Sequence, residues 1–183
     1  MRSEEKAIKA IDDIKSKCPS SKGELVFLHL DLGDLTTIKK SAQEFLSKES
    51  KLDVLWNNAG VMVPPAGSKT AQGYELQLGT NNVAPFLFTK LLTPILIETA
   101  KTAPKGSVRV IWVSSSAAEA ISPKNGIDMD NLDYKKDKPN WHKYGVSKAG
   151  NWYHATEFAK RYKADGIISV VSISYLSRTY STD

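Results

Sequence analysis

Two periodicities alternate along the chain. Over Ser3 to Lys17, SEEKAIKAIDDIKSK, apolar residues recur at helical spacing, which puts Ala7, Ile8, Ala10, Ile11 and Ile14 on one side of a helix with Ser3 as N-cap and acids in the first turn. Further helical stretches run from Asp34 to Glu49, from about Ala71 to Ala100 and from Trp141 to Lys163. Between them lie short, near-continuous apolar runs, ELVFLHLD, LDVLWNNAG, SVRVIWVSSS and GIISVVSIS, which read as strands buried on both faces. Strands alternating with helices, joined by connections long enough for crossovers, predict an open, doubly wound parallel sheet in one α/β domain over 1–183. The stretch 123–140, rich in Lys, Asp, Asn and Pro, reads as a surface excursion from that domain.

The composition narrows the function classes. A chain of 183 residues is the size of one ordinary domain. Its longest apolar runs fall short of the roughly 18 residues that span a bilayer, and the N-terminus MRSEEKAIKAIDD is charged where a signal peptide is apolar, so a soluble cytoplasmic protein without a membrane span is expected. The single Cys18 forms no internal disulfide, and His29, His142 and His154 lack the close spacing of metal ligands, so no metal is expected. The net charge of +5 is spread over helical segments with acids between the lysines, which argues against nucleic acid. Ser3 and Lys6 form S-x-x-K, a hydrolase pattern, but a capping serine before an exposed lysine explains it more economically.

The pattern Tyr-x-x-x-Lys occurs twice, as Tyr134 to Lys138 and as Tyr144 to Lys148. Tyr134 lies in a charged stretch closed by Pro139 and reads as a loop residue. Tyr144 opens the helix YGVSKAGNWYHATEFAKRY, where Lys148 lies one turn further on the same face. A phenol ionises near pH 10, and only nearby positive charge brings it into a useful range, so Tyr144 is the candidate acid. Ligands of open α/β sheets bind at the C-terminal strand ends, and there WVSSS places Ser114 and Ser115 while NNAG places Asn57 to Gly60.

Taken in order, LHLDL, NNAG, LGTNNVAPF, VSSS and YGVSK resemble the short-chain dehydrogenase/reductase family, from the first helix to about Ser172. GYELQLGTNNVAPFLFTKLL and the insertion before Tyr144 look more like retinol-dehydrogenase-like and related fungal or plant reductases. The resemblance implies hydride transfer between NADP(H), or NAD(H), and a carbonyl or alcohol. Tyr144 would be the general acid or base, Lys148 would supply the charge beside it and bind the nicotinamide ribose, Ser115 would hold the substrate oxygen, and Asn81 would anchor a water in the proton relay. Asp31 would contact the adenine end, with Asn58, Ala59 and Gly60 lining the adenosine side. Arg2, next to Ser3, aligns where a basic residue often meets the 2′-phosphate of NADP, and that favours NADP.

The resemblance also has gaps. Family members begin with a strand, a Gly-rich turn, a helix and a second strand, whereas no two glycines of this chain are separated by a single residue. The sheet expected is therefore Rossmann-like but incomplete, without its first two strands or the Gly-rich turn. Those strands would lie between the strand at Leu25 to Asp31 and that at Leu52 to Asn57, leaving a gap of roughly 14 Å. At the other end, 174–183 form a divergent tail in place of the usual Pro-Gly turn. Impaired activity in this chain is expected. The alternative is a catalytically silent fragment acting through the two long helices, which resemble the pair that family members use to form homodimers.

Overall fold

The computed structural model describes residues 3–174. Helix α1 (Glu4–Lys17) begins where the Ser3 Oγ accepts the Lys6 N–H at 3.3 Å, so that serine is a cap. Of its apolar side only Ala7 is buried, and Ile8 and Ile14 stay about half exposed. Helix α2 (Leu35–Lys48) is capped in the same way by Asp34, which accepts from the Thr36 N–H at 3.0 Å. The third helical stretch starts later than its pattern suggests, at Leu76, because Glu75 caps it and Gly73 turns the chain with a φ of 81°. It continues from α3 (Leu76–Leu78) through a π-helical segment (Gly79–Val83) into α4 (Ala84–Thr102). The short α5 (Ala117–Ile121) and the long α6 (Asn140–Tyr162) follow.

Strands β1 (Val54–Asn57), β2 (Arg109–Ser115) and β3 (Ile168–Ser174) form a parallel sheet in the order β1-β2-β3. Both pairings are in one register: Trp56 lies beside Ile111, and Ile111 beside Val170. The expected strand ELVFLHLD is absent: residues 24–31 carry no regular structure, and the sheet has three strands among the described residues. A strand exists only through the ladder bonds of a neighbour, and among the described residues none pairs with this segment. Its apolar residues are still used, since Leu28 and Leu30 pack against the core.

Each step from β1 to β2 to β3 moves the same way across the sheet. Right-handed crossovers that move in one direction lie on one face. Accordingly Leu55, Val110 and Trp112 share a core with Ile38 of α2, Phe88 and Leu92 of α4, and Phe158 of α6. The opposite face, with Val54, Trp56, Ile168 and Val170, is largely exposed, Trp56 to 60%. Half of a doubly wound sheet is thus present, wound on one side.

The helix Leu76–Thr102 is long and apolar enough to cross a membrane by composition alone. Its Phe88, Leu92, Ile95 and Leu96 are buried in the core, which accounts for that composition. The segment 123–140 is mostly exposed, and Asn131 is its one buried residue. The Asn131 Nδ2 donates to Lys136 O at 2.8 Å and its Oδ1 accepts the Lys136 N–H at 3.0 Å. Tyr153 of α6 ties the same segment down by donating to Asn125 O at 2.6 Å.

Candidate active site

The start of α6 is buried without a break from Lys143 to Asn151, because α3, α5, the π-helical segment, β2 and β3 surround it. Tyr144 and Lys148 are each 7% exposed there, and the Lys148 Nζ lies 5.7 Å from the Tyr144 ring centroid. Burial pushes the Lys148 ammonium below its ordinary pKa. It donates to Val113 O at 3.1 Å, two residues before Ser115 at the end of β2. Trp141 packs edge-on against Tyr144 with ring centroids 6.1 Å apart and is itself 46% exposed, so an aromatic wall stands beside the phenol.

The two serines at the end of β2 do different work. Ser114 is fully buried and donates to Lys148 O at 2.7 Å, which ties the strand to the helix backbone. Ser115 is 2% exposed, and its Oγ accepts the Ala117 N–H at 3.3 Å where α5 starts.

Asn81 sits in the π-helical segment, a distortion that often marks functional sites. Its amide is committed: Oδ1 accepts the Val61 N–H at 2.8 Å, and Nδ2 donates to Val61 O and to Ser147 Oγ, each at 2.9 Å. The bracket needs a glycine beside it, since a Cβ on Gly60 would lie 2.7 Å from Asn81 Oδ1. Asn58, Ala59 and Gly60 follow β1 as an exposed stretch without regular structure. Asp31 is half-buried, and its Oδ1 accepts the Gly33 N–H at 2.8 Å. Arg2 and the tail from 175 lie outside the described residues.

Several residues that the sequence reading passed over hold the site. Gln77, fully buried, accepts the Val63 N–H at 2.9 Å and donates to Asn140 O at 3.0 Å, which joins the loop after β1 to the first turn of α6. Val63 is held at a φ of 48°, an uncommon conformation for a β-branched residue. Asn82 donates to Ser147 O at 2.7 Å, and Gly150 leaves room for the Asn82 amide. Buried polar residues at helical spacing are the only sequence signal these could have left.

Tyr134, the other candidate, sits in a turn at a φ of 51°. Burial, and then the charge of Glu75, push its phenol well above the ordinary range. The cation near it is Lys143, 5.2 Å from the ring centroid, and that ammonium is paired with Asp137 at 2.6 Å. The helical relation that brings Lys148 to Tyr144 is missing here.

The strand ends, the ammonium and the phenol converge at the C-terminal edge of the sheet, where a nucleotide-binding α/β protein carries its ligand. Their fit to a nicotinamide cofactor is partial. Lys148, on a side chain that can leave its carbonyl, suits a ribose, whereas the turn that would receive the phosphates is not in this chain.

Residues 1–127 match the short chain dehydrogenase family, and the chain belongs to it. It is 58% identical over 173 residues to a short-chain dehydrogenase/reductase of Emericella nidulans, covering 94% of this chain and 55% of the relative. It is 57% identical over 171 residues to one of Phomopsis amygdali, covering 92% and 51%. The chain therefore spans about half the length of the curated relatives it matches. Among solved structures, an uncharacterised protein of Mycobacterium paratuberculosis superposes with a TM-score of 0.70 at 28% identity, over 92% of this chain and 57% of that one.

Proposed function

We propose that this chain carries the catalytic half of an oxidoreductase that moves a hydride between NADP(H) and a carbonyl or alcohol. The carrying observation is the pair Tyr144 and Lys148, buried together on one face of α6 with the Nζ 5.7 Å from the ring. A bound nicotinamide supplies the hydride to the carbonyl carbon, or takes it from the alcohol. Tyr144 gives its hydroxyl proton to the carbonyl oxygen as the charge there grows, and in the reverse direction removes it. Lys148 steadies the phenolate left behind and hydrogen-bonds the nicotinamide ribose. Ser115 hydrogen-bonds the substrate oxygen. Because the Asn81 amide is committed to Val61 and Ser147, a part in the relay falls to its main-chain carbonyl.

NADP rather than NAD rests on Arg2, whose guanidinium suits a 2′-phosphate. Asp31 keeps a second carboxylate oxygen for the adenine end. Asn58 to Gly60 offer an exposed stretch to the adenosine. A homodimer through α4 and α6 suits their outer surface, where Phe86, Trp152 and Tyr153 are about half exposed. An exposed free Cys18 suits the reducing cytoplasm.

The decisive test is Tyr144→Phe in the chain fused behind the Gly-rich strand, turn and helix of a family member. Turnover is expected to vanish while NADPH affinity holds, and Tyr134→Phe is expected to leave the rate near that of the parent. Equal losses from both would remove Tyr144 as the acid. The chain alone is expected to bind NADPH in the millimolar range or not at all, since charge-assisted bonds of ~1.5–3 kcal/mol each are lost with the phosphate cradle. A micromolar constant by calorimetry would refute that account.

A further inference from the structure

Two buried donors on α6, one turn apart, share a single acceptor. Lys148 Nζ donates to Val113 O at 3.1 Å, and Asn151 Nδ2 donates to the same oxygen at 2.8 Å. That carbonyl lies just past the point where the paired stretch of β1 ends, opposite Trp112. Asn151 is 3% exposed, and its Oδ1 has no hydrogen-bond partner among the described residues.

A buried amide with an orphaned acceptor is worse for stability than an aliphatic side chain of similar size. What Asn151 offers in return is its donor, and the donor serves Val113 O. While Lys148 occupies the same oxygen, that service is redundant. It stops being redundant once the ammonium leaves. The backbone around Lys148 is fixed, because Ser147 O accepts from Asn82 Nδ2 at 2.7 Å and Lys148 O accepts from Ser114 Oγ at 2.7 Å. Any transfer of the ammonium is therefore a movement of the side chain alone, away from β2.

We propose that Asn151 is a positioning residue for Lys148: it holds the Val113 carbonyl by itself, so that the ammonium can pass from Val113 O to the nicotinamide ribose without stranding a buried acceptor. The proposal rests on the reading of Lys148 as the ribose-binding cation. Without the amide, the move would leave Val113 O unsatisfied, and Lys148 would stay clamped on the strand.

The test has two arms. In the chain as it stands, the NMR shift of the Val113 carbonyl carbon reports the hydrogen bonds on its oxygen. Lys148→Met and Asn151→Leu are each expected to leave it near its original position, and the double variant to move it far upfield. Either single variant moving it as far as the double one overturns the proposal.

In the chain fused behind a family Gly-rich segment, NADPH affinity is measured by calorimetry for the same variants. Asn151→Leu is expected to weaken binding about tenfold when Lys148 is present and to change nothing in the Lys148→Met background. Equal losses in both backgrounds would mean a merely structural role and overturn the proposal. If Lys148→Met binds NADPH as tightly as the parent, the cofactor reading of Lys148 fails and the proposal falls with it. An unchanged carbonyl-shift pattern would identify that failure as belonging to the cofactor reading and not to the shared acceptor. Should Asn151→Leu not fold, Asn151→Ala, which removes the donor without adding bulk or charge beside Lys148, goes through the same measurements.

Discussion

Asn81 and Ser147 are joined side chain to side chain across 66 positions of sequence, Nδ2 to Oγ at 2.9 Å. The same serine hydroxyl donates to Tyr144 O at 2.8 Å, so Asn81 is coupled to the turn of α6 that carries the phenol. Asn81→Leu strands the N–H and carbonyl of Val61 and removes the donor to Ser147 Oγ, whose own bond to Tyr144 O remains. A loss of about 2–4 kcal/mol in urea unfolding is expected. A loss below about 1 kcal/mol would show that water takes over these partners and that the bracket is not structural.

The serines at the end of β2 should separate by property. Ser114→Ala removes the tie to Lys148 O and is expected to lower stability by about 1 kcal/mol or more. Ser115→Ala removes only the longer bond from the Ala117 N–H, so it should cost less stability than Ser114→Ala while slowing turnover in the fused protein. If Ser114→Ala is the change that spares stability and abolishes turnover, the two roles are assigned one residue out of place.

Lys148 should make the fold less stable than it could be. Its folded pKa lies below the unfolded value of 10.5, so the unfolded chain binds more protons in the window just below that pH. Stability therefore falls as pH drops through the window, and the cost of burying the ammonium is fully present once the pH lies below the folded pKa. Lys148→Met is expected to raise the unfolding temperature at pH 7, with Asn151 still holding Val113 O, and the gain should shrink as pH rises towards 10.5. A lower unfolding temperature at pH 7 would contradict this.

His154 gives a second pH signature. It is stacked between Phe86 and Trp112, with ring centroids at 5.4 and 4.9 Å, and burial pushes its pKa from 6.5 down to about 4. The unfolded chain takes up this proton first, so stability should fall as pH drops from 6.5 to about 4 and level off below. The groove around it also holds Lys90, Arg161 and Glu157. The loss is at most about 3 kcal/mol, and His154→Phe should flatten the curve of unfolding free energy against pH over that range. A curve as steep in the variant as in the parent would place the acid sensitivity elsewhere.

The exposed sheet face should make the isolated chain associate. Trp56 and Val170, lying on either side of Ile111, leave an apolar strip open to water. Light scattering on the eluted protein should show open-ended association, and Trp56→Lys should reduce it to a defined dimer. Unchanged association in the variant would move the sticky surface away from this face.

What could be read from sequence is what short-range physics decides. Ser3 and Asp34 cap their helices because a side-chain oxygen reaches an N–H only a few residues on, and Tyr144 and Lys148 share a face because helical geometry requires it. The apolar runs of β1, β2 and β3 announced a parallel sheet for the same reason, since burial on both faces leaves a continuous pattern. Residues 24–31 carry an equally good pattern and form no strand, because a strand depends on a neighbour's edge and not on its own side chains. Local reasoning could place Tyr144 on a helix and Tyr134 outside one, but it could not give the partners of either. That Asn81 would spend its amide on Val61 and Ser147, and that Lys148 and Asn151 would meet on Val113 O, depends on segments distant in sequence being folded against each other. Hydrogen bonds between such segments form only once the surrounding core has excluded water, so the tertiary structure alone decides them.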